Sequence, residues 1–207
     1  MSSLSLIIPC WKRPQSTRKL LLDVLNQTID GWEALFVGDC CKDLNNLFDC
    51  PEIIEEIKKA ENRGNSIKKF QLDRNYGGHG YAAINAGIQL AKNEFVIFAG
   101  NDDRIASNHF ENYLYPVRDN NLDIVIFDSV IKGITKRVSA WAFCKVGHSE
   151  IIVRASIAKI VDPHTPDYGH DWIFIVNILK ITNKAAKDLR GIVTYNVIRL
   201  AGDAEAA

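Results

Sequence analysis

Short apolar runs that stop abruptly alternate with stretches of helical periodicity through the first half of this chain, and that alternation restricts the fold more than any other feature. Leu4-Ser5-Leu6-Ile7-Ile8, halted by Pro9, reads as a buried parallel strand ending at a loop. Leu21, Val24, Leu25 and Thr28 to Ile29 then recur at helical spacing, with Ser16 or Thr17 as the cap and Asp30-Gly31 as the stop. Residues 32–37 are expected as a second strand, 50–61 as a charged surface helix with Ile53, Ile54 and Ile57 inward, and 68–72 as a shorter third strand. A glycine-rich loop, Asn75-Tyr76-Gly77-Gly78-His79-Gly80, leads into a helix marked by Ala83, Ala86, Gly87 and Leu90. Phe95-Val96-Ile97-Phe98 is the fourth strand, and it ends in Gly100-Asn101-Asp102-Asp103. Such an order predicts a mostly parallel sheet with helices on both faces.

Ligands of such sheets sit beyond the carboxyl ends of the strands. Lys12 and Arg13, Asp39, Arg74, and the Asp102-Asp103 pair all fall there, one group after each strand. The second half is less regular. Residues 122–127, 131–140 and 150–154 read as strands, and Asp171 begins a helix with Trp172, Ile175, Val176 and Leu179 on one face.

Composition enters mainly by exclusion. With 25 Lys+Arg against 25 Asp+Glu, the chain lacks the basic excess of a phosphate-gripping face, so no nucleic-acid partner is expected. The apolar stretch from Trp172 to Ile181, interrupted by Asn177, falls short of the roughly 20 residues of a membrane helix, so no transmembrane segment is expected. Nothing at the N-terminus reads as a secretion signal. The five cysteines form no C-x-x-C pair, which favours reduced thiols and a cytoplasmic setting, with a zinc site as a minor alternative.

Four segments, taken in order and spacing, carry a family resemblance. These are Leu6 to Pro14, Leu25-Asn26-Gln27-Thr28 followed by Trp32-Glu33, Val37-Gly38-Asp39-Cys40-Cys41-Lys42-Asp43 in the place of a usual V-D-D-G-S-T-D, and Asn85-Ala86-Gly87-Ile88. Together they resemble family 2 glycosyltransferases of the GT-A fold, closely in the first half and loosely in the second. The resemblance implies an α/β fold of GT-A type, with a mostly parallel Rossmann-like central sheet, helices on both faces and a smaller mixed acceptor-side subregion. It implies a single domain over residues 1–207: a nucleotide-sugar-binding half at 1–104, an acceptor-side half at 105–200 and a tail at 201–207. The expected reaction is inverting, metal-dependent transfer from a nucleotide-diphosphate sugar, with a UDP-sugar favoured, to a hydroxyl of a glycan or other acceptor. The chain is then either a whole enzyme or one domain of a longer protein.

The same resemblance assigns residues. Pro9 borders the nucleotide. Asp39 accepts a hydrogen bond from the uracil ring N–H, a task suited to an acceptor-only carboxylate, or it merely starts a turn. Gly38, where the family has a first aspartate, leaves the uridine preference open. Arg74 holds uracil or phosphate through its guanidinium fork, or is a surface arginine. The family's D-x-D element becomes Gly100-Asn101-Asp102. Asp102 aligns with the metal ligand, Asn101 with a position near the ribose, and Asp103 with a direct or supporting acidic partner. Adjacent carboxylates repel and are best tolerated where a cation offsets them, and oxygen ligands with phosphates imply Mn²⁺ or Mg²⁺; a cap or turn role is the alternative. Gly77 to Gly80 matches neither G-x-G-x-x-G nor a P-loop.

In Gly169-His170-Asp171-Trp172, Asp171 is the candidate base for the acceptor hydroxyl, or a helix cap, and His170 stands where the family has glutamate. His170 is open between a contact to phosphate, metal or acceptor and simple packing. Trp141, His148 and Glu150 fall where the family shapes its acceptor pocket, although a tryptophan there also suits a core. Two rivals stand beside this reading. A nucleotidyltransferase shares the sheet and acidic site but wants a glycine-rich loop after the first strand, and Lys12-Arg13-Pro14 has no glycine. A non-catalytic nucleotide-sugar-binding module is suggested by the aspartates lost at Gly38 and Gly100.

Overall fold

The computed structural model describes residues 3–131, 133–136, 146–161 and 164–198. In chain order the elements are β1 (Leu4–Cys10), α1 (Pro14–Leu25), β2 (Glu33–Gly38), α2 (Lys42–Phe48), α3 (Pro51–Asn62), β3 (Ser66–Gln71), α4 (Tyr81–Leu90), β4 (Phe95–Phe98) and β5 (Arg104–Ile105). There follow α5 (His109–Asn120), β6 (Ile124–Ile126), β7 (Ser129–Ile131), β8 (Ile134–Lys136), β9 (Ile151–Arg154), α6 (Ala155–Ala158), α7 (His170–Ile181), β10 (Ala185–Lys187) and β11 (Tyr195–Val197).

Seven strands make the central sheet in the order β10-β6-β9-β4-β1-β2-β3. β3, β2, β1 and β4 run parallel, β9 lies antiparallel between β4 and β6, and β10 runs parallel to β6. A second, mixed sheet has the order β5-β11-β7-β8. Successive strand residues point to opposite faces. Accordingly Leu4, Leu6, Ile8 and Cys10 of β1 pack with α1, α2, α3 and α5, while Ile7 packs with α4, α6 and α7 on the other face. The α/β expectation with helices on both faces is met.

Several local expectations are corrected. Pro9 does not stop β1: it pairs with Val37, and Cys10 with Gly38. The ladder to β4 ends at Ile7, so Pro9 has a strand neighbour on one side only, the setting in which a missing N–H is tolerated. Helix α1 begins earlier than a Ser16 or Thr17 cap would allow, because Pro14 takes its first turn and Arg13 is the cap residue. The single strand expected over residues 131–140 is not formed in its described part: β7 and β8 are separate strands paired antiparallel, with Gly133 at φ 75° ahead of β8, and residues 137–140 lie outside the described residues. α2 and α5 were not foreseen; in α5 an interior Pro116 masks the helical spacing of Phe110, Tyr113, Leu114 and Val117. Among the described residues no helix is long and apolar enough to cross a membrane.

Candidate active site

A cleft of about 460 Å³ opens where β1 and β4 end, the point at which the chain crosses from one side of the sheet to the other. Pro9 to Trp11 and Arg13 line one part of it, Asp39 and Gly77 to Gly80 another, and Gly100 to Asp102 the third. Of the residues expected at a nucleotide site, Pro9, Asp39, Asn101 and Asp102 therefore share one cavity.

The loop after β1 is bent to reach the acidic loop. Lys12 and Arg13 both take left-handed φ, 54° and 60°, an unusual conformation for two consecutive residues with side chains. Thr17 fastens the bend by donating its hydroxyl to the Arg13 carbonyl at 2.8 Å. The Arg13 guanidinium then meets the Asp102 carboxylate at 2.5 Å, in a half-buried ion pair. Asn101 is buried and its amide donates to the Lys12 carbonyl at 3.1 Å and to the Thr17 hydroxyl at 3.0 Å, so the two loops are tied at two points.

Asp103 faces another way. Its carboxylate accepts from the Tyr195 hydroxyl at 2.5 Å and from the Ile198 amide at 2.8 Å. Burial pushes its carboxyl up to about 6, more than these two hydrogen bonds pull it down. Tyr195 in turn accepts from the Gly100 amide at 3.0 Å, so this pair pins β11 to the acidic loop.

The two glycines that depart from the family's aspartates are both filled positions. A Cβ on Gly38 would stand 2.3 Å from Gln71 Oε1. Gln71 uses that space to accept from the Cys41 amide at 3.0 Å and to donate to the Cys41 carbonyl at 2.7 Å. A Cβ on Gly100 would lie 2.8 Å from an Asp103 oxygen and 3.0 Å from an Asp102 oxygen, so a third carboxylate there would meet two others.

Asp39, almost fully buried, organises the glycine loop. It accepts from the Tyr76 amide at 2.8 Å, the Gly77 amide at 3.0 Å and the Asn75 side chain at 3.1 Å. Gly77, Gly78, His79 and Gly80 all have positive φ, and Gly78 packs where a Cβ would touch Pro166. Arg74 does not line the cleft; its guanidinium covers the Tyr76 ring at 4.8 Å.

The remaining candidates gather beside the start of α7. Gly169, at φ 86°, is the cap residue, so Asp171 lies within the first turn, with its Oδ1 accepting from the Trp172 amide at 2.8 Å. A Cβ on Gly147 would stand 3.3 Å from Asp171 Oδ2. The His170 and His148 rings lie tilted to each other with centroids 5.1 Å apart, and His164 meets His170 edge-on at 5.2 Å. Glu150 is buried and accepts from the Ser129 hydroxyl at 2.6 Å and the Gly147 amide at 2.8 Å. Trp141 lies outside the described residues. Sequence reasoning missed the Arg13–Asp102 pairing, Tyr195 and His164. Only the last had a signal: three of the five histidines fall between residues 148 and 170.

Comparisons with known proteins agree with this architecture. The poly(ribitol-phosphate) beta-N-acetylglucosaminyltransferase TarP of Staphylococcus aureus (strain N315) is 24% identical over 156 residues, 73% of this chain and 45% of TarP. The crystal structure of S. aureus TarS 1-349 in complex with UDP-GlcNAc superposes with a TM-score of 0.73 at 17% identity, covering 100% of this chain and 61% of that one. The mannosyltransferase PcManGT from Pyrobaculum calidifontis, in complex with GDP-Man and Mn²⁺, superposes with a TM-score of 0.65 at 12% identity, covering 92% and 55%. The chain spans less than half the length of the curated relatives it matches. The fold is of GT-A type, and residues 5–175 match the model of one family: the chain belongs to glycosyl transferase family 2.

Proposed function

We propose that this chain is the donor-binding and catalytic unit of an inverting glycosyltransferase that takes a UDP-sugar and passes the sugar to a hydroxyl of a glycan or related acceptor. The observation that carries this reading is the cleft in which Asp39, Asn101, Asp102 and Arg13 meet at the ends of β1 and β4. The nucleotide-sugar complexes of TarS and PcManGT support it. The free Cys10, Cys40, Cys41 and Cys50 are in keeping with a cytoplasmic setting.

The donor set at the acidic loop fits a hard divalent cation. Asp102 presents a carboxylate to the cleft, while Asn101 and Asp103 are engaged elsewhere. Mg²⁺ and Mn²⁺ are commonly held by one or two carboxylates with substrate phosphates completing the shell. Asp102 would hold the ion, which when bound supplies positive charge beside a departing diphosphate. In this reading Arg13 turns from Asp102 to the phosphates, and Asp39 keeps the glycine loop ordered against the nucleotide. Asp171 takes the proton of the acceptor hydroxyl. As the acceptor oxygen bonds to the anomeric carbon, the bond from that carbon to the diphosphate oxygen breaks, and its electron pair leaves with UDP.

The test is UDP release with Mn²⁺ across a panel of nucleotide sugars and acceptors. Asp171→Asn abolishes transfer and leaves Mn²⁺-dependent UDP binding nearly intact; full activity in that variant would refute the assignment. The Arg13–Asp102 ion pair favours one second reading, a binding module whose metal-facing carboxylate is already neutralised. Binding without release over the whole panel is the outcome that selects it.

A further inference from the structure

We propose that His148, His164 and His170 form a binding site for a divalent transition-metal ion of the zinc class, distinct from the oxygen site at Asp102. The three come from separate segments: a single turn ahead of β9, the loop before α7, and the first residue of α7. One ring nitrogen from each lies within 4.8 Å of the other two. His148 Nε2 and His164 Nε2 face each other at 2.5 Å.

The surroundings prepare these nitrogens as ligands. Asn85 Oδ1 lies 3.0 Å from His164 Nδ1 and also accepts the His164 backbone amide at 2.8 Å, while the Asn85 side-chain amide donates to the His164 carbonyl at 2.9 Å. With Nδ1–H donating to Asn85, the Nε2 lone pair of His164 points into the cluster. Such a supporting acceptor on the far nitrogen is the usual company of a metal-bound histidine. His170 Nδ1 is buried and has no hydrogen-bond partner among the described residues, in a residue only 6% exposed. Phe98 and Phe174 wall the cluster, their rings 5.3 Å from His148 and 4.3 Å from His164. Burial, then the neighbouring imidazoles, holds His148 well below the ordinary histidine range and His164 at about 3. His170 is lowered by burial as well. Burial disfavours the charged form of all three, and the neutral imidazole is the form that ligates.

Packing alone leaves this arrangement incomplete. The short His148–His164 contact can share only one proton, and it offers nothing to His170 Nδ1. A cation taking one lone pair from each ring removes the need for that shared proton. Metal–nitrogen distances of about 2.0–2.1 Å would draw His170 inward and separate the other two. Imidazoles without a carboxylate select zinc-like ions over Mg²⁺ or Mn²⁺, and three protein ligands leave a fourth position open. Bound there, the ion fastens the loop at residues 164–169 to the segment before β9. Since His170 directly precedes Asp171, it also fixes the proposed base; that consequence rests on the function proposed above, whereas metal binding does not.

The experiment uses the full chain without an affinity tag, stripped with chelator and titrated with Co²⁺ in the absence of nucleotide. Expected is saturation at one equivalent with the visible bands of a tetrahedral nitrogen site, displaced by Zn²⁺. Asn85→Ala weakens binding by about 10–100-fold, as loss of a supporting hydrogen bond does. His148→Gln and His164→Gln weaken it further, and Asp102→Asn leaves it unchanged. If either histidine variant fails to fold by circular dichroism, His170→Gln takes its place. Absence of a saturable equivalent, or equal binding by wild type and a folded histidine variant, overturns the proposal whatever the outcome of the UDP-release assay.

Discussion

His109 offers a direct test of how burial in this fold governs its stability. Its ring is fully buried against Tyr113 and Tyr195, with centroids at 4.1 and 5.8 Å, and its one hydrogen bond joins Nδ1 to the Thr194 hydroxyl at 2.8 Å. Nε2 has no partner among the described residues, and burial lowers the group from 6.5 to about 3. The unfolded chain therefore takes up this proton before the folded chain does. The resulting stability is intact above about pH 6.5 and falls as pH drops toward 3, by about 1.4 kcal/mol per pH unit. Between pH 7.5 and 5 the loss from this residue is about 2 kcal/mol. His109→Phe keeps an aromatic ring but cannot titrate. It carries a pH-independent offset of about 1–3 kcal/mol from the larger ring and the stranded Thr194 hydroxyl. Urea unfolding of both proteins across this range should show wild type losing about 2 kcal/mol relative to the variant, the other histidines cancelling in the difference. Parallel stability curves would refute the reasoning. Since Thr194 adjoins Tyr195, which pins Asp103 and Gly100, protonation of His109 should also loosen the acidic loop.

Asp39→Ala strands two loop amides and is expected to destabilise the fold by about 3 kcal/mol in chemical denaturation, with faster proteolysis near Tyr76. Gly38→Asp, which restores the family's usual residue, is expected to destabilise by about 1–3 kcal/mol because it strikes Gln71, and Gln71→Ser is expected to relieve part of that in a double-mutant cycle. Asp102→Asn is expected to change stability by no more than about 1 kcal/mol, its ion pair being part-exposed, yet to abolish the Mn²⁺-dependent part of UDP binding measured by calorimetry.

What the sequence showed of this molecule follows how local each determinant is. The alternation from β1 to β4 is written in contiguous residues, so strand order on that side and the polar strand ends could be read directly. Residues 131–140 read as one strand, whereas the pairing of β7 with β8 depends on Gly133 and on β11, whose Asn196 pairs with Val130 from 66 positions later. At the site, Asp39 and Asp102 were legible as acids at strand ends, but their partners were not. Arg13 reaches Asp102 across 89 positions, and Tyr195 reaches Asp103 across 92. Adjacent aspartates look alike in sequence; only the arrival of Tyr195 and Ile198 sends Asp103 inward and leaves Asp102 at the cleft.

The same partners bear on how a donor would bind. Asp39 holds backbone amides, Asn101 holds the β1 loop, and Asp102 holds Arg13, so the cleft is ordered before any ligand arrives. Preorganisation lowers the ordering cost of association. On the proposed function, a diphosphate and its cation would enter by exchange: phosphate oxygens would replace Asp102 on Arg13, and the cation would replace Arg13 on Asp102. Each charge would then keep an opposite neighbour, which avoids leaving a half-buried carboxylate or guanidinium unpaired. On that proposal, equal numbers of acidic and basic residues would be compatible with a strongly anionic donor. Binding by exchange has a measurable consequence. Arg13→Ala should strengthen the affinity of Asp102 for Mn²⁺ alone while weakening that for UDP, a pair of opposite shifts that a merely structural role for Arg13 would not produce.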